Sequence, residues 1–146
     1  MDGDAVHAPG TTGIHHFSPT VTDIDASAAW YMRVFGLERL PATAPHHGDE
    51  EGGYAVLLID PRTGLLIGLH HHATSISGPF DERRVGLDHI AWGVASMKEL
   101  TRWAAWLDEL GVPHSGVIDK PGPRRYLAIV FRDPDNIQLE LIHRPA

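Results

Sequence analysis

The sequence predicts an α+β fold made of two tandem βαβββ modules, and an internal repeat is the first reason. Residues 13–16 read Gly-Ile-His-His, and residues 86–89, 73 positions later, read Gly-Leu-Asp-His. The same spacing pairs three further positions: Val21 with Val94, Trp30 with Trp103, and Asp60 with Asp133. Because these matches keep their order along the chain, they indicate a duplicated unit rather than chance similarity.

The first copy reads as one strand, one helix and three further strands. Residues 14–21 alternate as a strand does, although Pro19 cannot donate to a ladder and implies an edge or a bulge. A helix is expected over 26–35, after a cap at 23–25, and Gly36 ends it as a C′ glycine. The remaining strands are expected at 38–42, 54–59 and 65–71.

The second copy repeats this order, with clearer helix signals. Ser96 and Glu99 have the spacing of a capping box, and Gly111 stops the helix. Apolar residues follow the cap at helical spacing: Leu100, Trp103, Ala104, Leu107 and Leu110. Strands are expected at 115–119, 126–132 and 137–143. The two modules therefore span 13–80 and 85–146, and together they form one domain.

Composition restricts the partners. A net charge of −7 argues against nucleic acid and anionic membranes, because both reward a basic surface. No apolar run approaches the ~20 residues that a membrane span needs, and the first 13 residues lack a basic-then-apolar signal pattern. The chain contains no cysteine, which excludes disulfides and thiolate chemistry and fits a cytoplasmic location. A small-molecule partner is the expectation that remains.

Strand alternation brings a potential metal site to one side of the sheets. His16, His89 and Glu140 all fall on the strand face opposite the apolar residues that pack under the helices. Two neutral imidazoles and one carboxylate form a facial triad with open coordination positions. Such a triad suits Fe(II) or Mn(II) and tolerates Zn(II) or Ni(II). The ordinary alternative is that each histidine is a half-buried strand residue and the glutamate is solvent-facing.

Several other polar residues are candidates for contact with a substrate. Ser18 shares the face of His16, and we assign catalytic roles to Ser18 and Glu140. Four further residues are expected to bind substrate: Tyr54, Arg125, Tyr126 and Gln138. The histidine runs 46–47 and 70–72 also look like metal-binding tracts, but such runs at strand ends are more often solvated.

These residues resemble a known superfamily. The segments GIHHFSPTVTDIDASAAWYMRVFGLERL, GLDHIAWGV, LDELGV and FRDPDNIQLELI are similar to the vicinal oxygen chelate proteins. That superfamily includes glyoxalase I, extradiol dioxygenases, fosfomycin-resistance thiol transferases and bleomycin-binding proteins. The resemblance covers about residues 13–143. It implies two modules whose strands form a curled mixed sheet around a central metal cleft.

The resemblance also implies a site and an activity. Its ligand positions fall on His16, His89 and Glu140. Its fourth position falls on Gly68, which offers no ligand, so His70, two residues further on, is the candidate substitute. The implied protein is a homodimeric, metal-dependent enzyme acting on a small oxygenated substrate chelated to the ion. The alternative is a metal-free protein that binds an antibiotic in the same cleft.

Overall fold

The computed structural model describes residues 8–76 and 78–146, so residues 1–7, which include most of the N-terminal stretch discussed above, lie outside it. The described residues form eight strands and two helices. Their bounds are β1 His16–Phe17, α1 Ile24–Phe35, β2 Glu38–Pro45, β3 Gly53–Ile59, β4 Leu66–His72, β5 His89–Gly93, α2 Met97–Glu109, β6 Ile118–Lys120, β7 Tyr126–Arg132 and β8 Gln138–His143. This order confirms the prediction of tandem βαβββ modules.

Each module contributes its own four-stranded mixed sheet. The strand orders are β1-β4-β3-β2 in the first sheet and β5-β8-β7-β6 in the second. In both sheets the first strand of the module runs parallel to the last and lies at an edge. His16 is in register with Leu66, as His89 is with Gln138. The first and last strands of the two modules therefore pair in equivalent register, and Gly68 occupies the position that Glu140 has in the second module.

The helices begin and end at residues that satisfy their free backbone groups. The Asp23 side chain accepts a hydrogen bond from the backbone N–H of Ala26, and Gly36 follows α1 in the left-handed conformation that glycine adopts most easily. The Ser96 side chain caps α2 by accepting from the Glu99 N–H at 3.2 Å. Neither helix of the described chain is long and apolar enough to cross a bilayer.

Two strands are clearly shorter than predicted, whereas the strand expected at 38–42 extends to Pro45. The strand expected at 14–21 is regular only at His16–Phe17, because Pro19 has no N–H to donate. Pairing nevertheless resumes beyond it, since the Pro19 carbonyl accepts from the His70 N–H at 2.9 Å. The strand expected at 115–119 begins only at Ile118, because Gly116 has a positive φ of 71° that interrupts extended backbone.

The inner faces of the two sheets share one apolar core, in which α1 packs on β3 and β4 and α2 packs on β7 and β8. The Phe35 ring stacks on the Trp92 ring of β5, with centroids 4.4 Å apart, and Trp30 lies 6.3 Å from Phe131 of β7. These helix residues belong to the first module, whereas the rings that they contact belong to the second. One apolar cluster joins both modules. The outer face of each sheet lies on the side opposite this core.

A buried hydrogen bond links the two modules. The Tyr31 hydroxyl of α1 donates to the Asp133 carboxylate, in the turn between β7 and β8, at 2.8 Å. Burial raises the pKa of both groups. The Asp133 carboxylate also accepts from the backbone N–H groups of Asp135 and Ile137. The DPDN turn is thus held from within its own loop and from the other module.

Tyr31→Phe should lower the free energy of unfolding by about 1–3 kcal/mol, because it leaves one buried acceptor of Asp133 without its donor. Chemical denaturation measures the change. Tyr126→Phe is the matched control, since the Tyr126 hydroxyl makes no hydrogen bond to another described residue. Equal losses in the two variants would show that the Tyr31 hydroxyl has no special role.

Candidate functional site

The second module brings two of the three predicted metal ligands together. On the outer face of the second sheet, Nε2 of His89 lies 3.8 Å from Oε1 of Glu140. The His89 side chain is 41% exposed and the Glu140 side chain 15%, so the pair sits at a surface that solvent still reaches. Their neighbour Ala91, which is in register with Glu140, is small and leaves the space above the pair open.

Asp88 fixes the orientation of the His89 ring. The Nδ1–H of His89 donates to the Asp88 carboxylate at 2.6 Å, and this hydrogen bond raises the pKa of His89. The Glu140 carboxylate adds to the same effect through its charge. In the neutral ring, a proton held on Nδ1 leaves the Nε2 lone pair free on the side of Glu140. A carboxylate behind a ligating histidine is the usual partner in metal sites.

A chain of polar contacts supports Glu140 from the other side. The Gln138 amide donates to Oε1 of Glu140 at 2.9 Å and accepts from Arg132 at 3.1 Å. Arg132 in turn makes a two-point ion pair with Glu82, at 2.7 and 3.0 Å. These hydrogen bonds therefore connect Glu82, in the segment between the modules, to the Glu140 carboxylate.

The third predicted ligand lies elsewhere in the chain. His16 is exposed on the outer face of the first sheet, and its Nδ1 lies 2.9 Å from Nδ1 of His15. His15 is the counterpart of Asp88 in the repeat. Within residues 8–76 and 78–146, no ion pair joins His16 to Glu140, and no three His, Asp or Glu side chains converge as metal ligands.

The first module has a glycine where the second has a carboxylate. Gly68 is buried, and a Cβ built there would lie 2.7 Å from Oγ of Ser18. The Ser18 hydroxyl therefore lies over the glycine on the outer face. The ring of His70, the candidate fourth ligand, donates from Nδ1 to the Gly68 carbonyl at 3.1 Å. Burial and the charges of neighbouring histidines lower the pKa of His70.

The remaining candidate substrate residues are spread over the surface. Tyr54 is 38% exposed and pairs with His71 on the opposite face of the first sheet from Gly68. Arg125 is paired with Asp119 through two hydrogen bonds, of 2.9 and 2.7 Å, so its charge is already matched. Tyr126 shares the outer face of the second sheet with Glu140 but lies at the far end of β7. Only Gln138 touches one of the predicted ligands.

The edges that carry the two histidines have no strand partner. β1 and β5 are the end strands of their sheets. Large apolar residues beside them are exposed: Ile14 85%, Val85 109% and Leu87 67%. Ile14 and Leu87 are equivalent in the repeat and each lies two residues before a candidate ligand. An unpaired edge next to exposed apolar side chains is typical of a surface that another chain covers.

Sequence reasoning missed Asp88 and Arg132, although both could have been found. Asp88 directly precedes His89 in the quoted segment GLDHIAWGV, and the repeat has His15 at that position. Arg132 lies opposite Gln138 in the β7–β8 ladder, so strand alternation places the two on one face. The reading of residues 70–72 as solvated also differs from the structure, because all three histidines are half-buried.

Comparison with known proteins agrees with the two-module fold. Residues 13–141 match the family described as the Glyoxalase/Bleomycin resistance protein/Dioxygenase superfamily. The chain belongs to that superfamily. The predicted resemblance is thereby confirmed over nearly its whole extent. No curated protein matches the chain.

Solved structures of superfamily proteins share the fold. A glyoxylase/bleomycin resistance protein/dioxygenase domain from Frankia sp. EAN1pec is 29% identical, with a TM-score of 0.77 over 93% of this chain and 94% of that one. A lactoylglutathione lyase from Agrobacterium tumefaciens is 21% identical, with a TM-score of 0.63 over 92% and 96%. A fosfomycin resistance protein from Listeria monocytogenes is 20% identical, with a TM-score of 0.61 over 90% and 91%. At these last two identities the likeness concerns the fold alone.

Arg132→Met should raise the pKa of Glu82, which the Arg132 guanidinium now holds at about 2, toward the ordinary value for glutamate. Carboxyl-detected NMR titration measures the pKa of Glu82 in both proteins. Asp81 is an internal control, because Arg83 holds its pKa at about 2 independently. The pair helps stability above the ordinary glutamate pKa and ceases to help as pH falls toward 2. An unmoved Glu82 in the variant would contradict the contact.

Proposed function

We propose that this superfamily member is a metal-dependent enzyme, of the lyase, dioxygenase or transferase type, that acts on a small oxygenated substrate chelated to a divalent ion. The observation that carries the proposal is the His89–Glu140 pair, with Nε2 and Oε1 3.8 Å apart and Asp88 behind the imidazole. Ligand bonds of about 2.0–2.2 Å to one ion fit between two donors at this spacing. A protein that only bound an apolar compound would have no need of an oriented donor pair.

His16 is the third ligand in this proposal, and it comes from a second copy of the chain. Within the described residues of one chain, His16 does not converge with His89 and Glu140. A homodimer in which β1 of one copy lies beside β5 of the other would do so. The unpaired edges and the exposed Ile14 and Leu87 support this pairing. The ion would be Fe, Mn, Zn or Ni, by the chemistry of two imidazoles and one carboxylate.

The chain's own residues have distinct roles in the proposed reaction. When bound, the ion would polarise the substrate oxygens that it holds. The Glu140 carboxylate, positioned by the Gln138 amide at 2.9 Å, exchanges a proton with the substrate. The Ser18 hydroxyl, which lies over Gly68, donates a hydrogen bond to the substrate. Because Gly68 has no side chain, the first module leaves a coordination position open where a fourth protein ligand would close it.

The substrate is not specified by these contacts. Two similar structures are a lactoylglutathione lyase and a fosfomycin resistance protein, which have different chemistries on one fold. The substrate is expected to be small and oxygenated, and the proposed location is the cytoplasm, which the cysteine-free composition fits.

His89→Ala should remove about one equivalent of bound divalent metal per chain, because it deletes one of three ligands and leaves the carboxylate without its neighbour. Elemental analysis of protein purified without chelators or a histidine tag measures the content. His47→Ala is the matched control, since the His47 side chain is fully exposed and lies outside the proposed site. Unchanged metal content in His89→Ala, or none in the parent protein, would favour the metal-free antibiotic-binding alternative.

A mixed dimer tests whether the site is shared. His16→Ala and His89→Ala each inactivate both sites of a homodimer. In a heterodimer of the two variants, one site receives both substitutions and the other receives none. Dimers isolated through two different peptide tags, neither of them polyhistidine, should therefore regain about half of the parent's metal at this site. If each site lay within one chain, the mixed dimer would regain no metal at this site. A protein that sedimented as a monomer would also contradict the shared-site proposal.

A further inference from the structure

A second group of histidines lies on the outer face of the first sheet, at the far end of β4 from His16. The rings of His46, His70 and His72 are mutual neighbours, with centroids 4.6 Å apart for His46–His72, 5.3 Å for His46–His70 and 6.0 Å for His70–His72. His70 and His72 share a face because they are two residues apart in a strand. His46 reaches them because the backbone N–H of His46 donates to the Gly53 carbonyl of β3.

Hydrogen bonds fix the orientation of two of these rings. The Nδ1–H of His72 donates to the Asp49 carboxylate at 2.7 Å, and the Nδ1–H of His70 donates to the Gly68 carbonyl at 3.1 Å. Each bond places the proton of the neutral ring on Nδ1 and frees the Nε2 lone pair. Carboxylates and carbonyls are the groups that orient histidine ligands in metal sites.

The third ring has a buried nitrogen with no partner. Nδ1 of His46 is inaccessible to solvent and makes no hydrogen bond within the described residues. A buried imidazole nitrogen without a partner is costly unless another ligand satisfies it. His46 therefore adds an unsatisfied nitrogen to the two rings whose lone pairs are already free.

The backbone around the Asp49–His72 pair is shaped to hold it. Gly53 is buried, and a Cβ built there would lie 2.8 Å from both Oδ2 of Asp49 and Nδ1 of His72. The N–H of Gly53 also donates to the Asp49 carbonyl at 2.7 Å. Any larger residue at position 53 would displace the pair. The hydrogen bond to His72 lowers the pKa of Asp49, so the carboxylate is charged at neutral pH.

We propose that His46, His70 and His72 bind a second divalent transition-metal ion, with Asp49 as the residue that orients His72. Three imidazoles bound at about 2.0–2.1 Å to one ion have ring centres roughly 4.5–5.5 Å apart, close to the spacing found here. The donor atoms do not converge in the present arrangement. Binding therefore requires the rings to turn about χ2, a torsion with broad minima in histidine.

This site differs from the one formed by His16, His89 and Glu140. It lies within one module and needs no second copy of the chain. It also assigns His70 to the new ion, in place of a fourth position beside Gly68. The two roles of His70 predict different results for variants of His46 and His72. If the three histidines bind one ion, these variants lose metal. If His70 is instead a fourth ligand beside Gly68, they bind metal as before.

Zinc alone is the probe, and the experiment uses the full-length, untagged protein carrying His89→Ala, which silences the first site. Calorimetric titration of this metal-free parent should show about one Zn²⁺ bound per chain. Adding His72→Ala or His46→Ala should weaken that binding by 100-fold or more. Asp49→Asn and Gly53→Ala should each weaken it about 10- to 100-fold, because the orienting partner is lost or displaced.

Two neighbouring histidines provide matched controls. His71 is adjacent to His72 but points to the other face of β4, and His47 is adjacent to His46 but fully exposed. His71→Ala and His47→Ala should bind zinc as the parent does. Circular dichroism confirms that each variant is folded, and His72→Gln replaces His72→Ala if the latter is not.

Three results would overturn the proposal. The first is no zinc binding in the His89→Ala parent. The second is an equal loss in His71→Ala and His72→Ala, which would indicate a nonspecific histidine tract. The third is binding that depends on His70 and on Glu140 but not on His46 or His72, which would make His70 the fourth ligand of the first site. Each is separable from failure of the proposed function, because the mixed dimer tests that independently.

Discussion

The single apolar core that both helices share with the inner faces of the two sheets is the constraint on which the rest of this structure depends. Each sheet has only one apolar face, and both apolar faces are satisfied by the same core, through contacts such as Phe35 with Trp92. The polar face of each sheet must then lie on the side away from that core. A chain that duplicates its ligand-bearing strand in this way holds two half-sites rather than one complete site.

The two half-sites have diverged in a physically consistent way. The second keeps a carboxylate at position 140, a charged partner behind its histidine, and a polar chain through Gln138 and Arg132. The first has Gly68 at the equivalent position and His15 behind His16. One half therefore carries the negative charge that attracts a cation, and the other offers no side-chain ligand at the equivalent position. This asymmetry is what a site with open coordination positions requires.

The sequence was sufficient to predict the fold and which strand residues share a face, because both follow from local periodicity and from the repeat. Strand alternation predicted that His89 and Glu140 share a face, and their side chains lie 3.8 Å apart. It did not predict the separation of His16, because the relative direction of two sheets depends on long-range contacts such as Tyr31 with Asp133. Nor did it bring His46 to His72, since that contact depends on the turn between β2 and β3.

That turn also shows why a histidine-rich sequence is ambiguous by itself. Of the neighbours His71 and His72, one lies beside Tyr54 on the face toward the helices, and the other is bound to Asp49 on the outer face. The difference comes from the two-residue period of the strand, and Gly53 makes room for only one of them to meet a carboxylate. A solvated tract would have no reason to provide a buried glycine beneath one imidazole. The glycine therefore favours a specific role for His72 over a general affinity of the tract for metal.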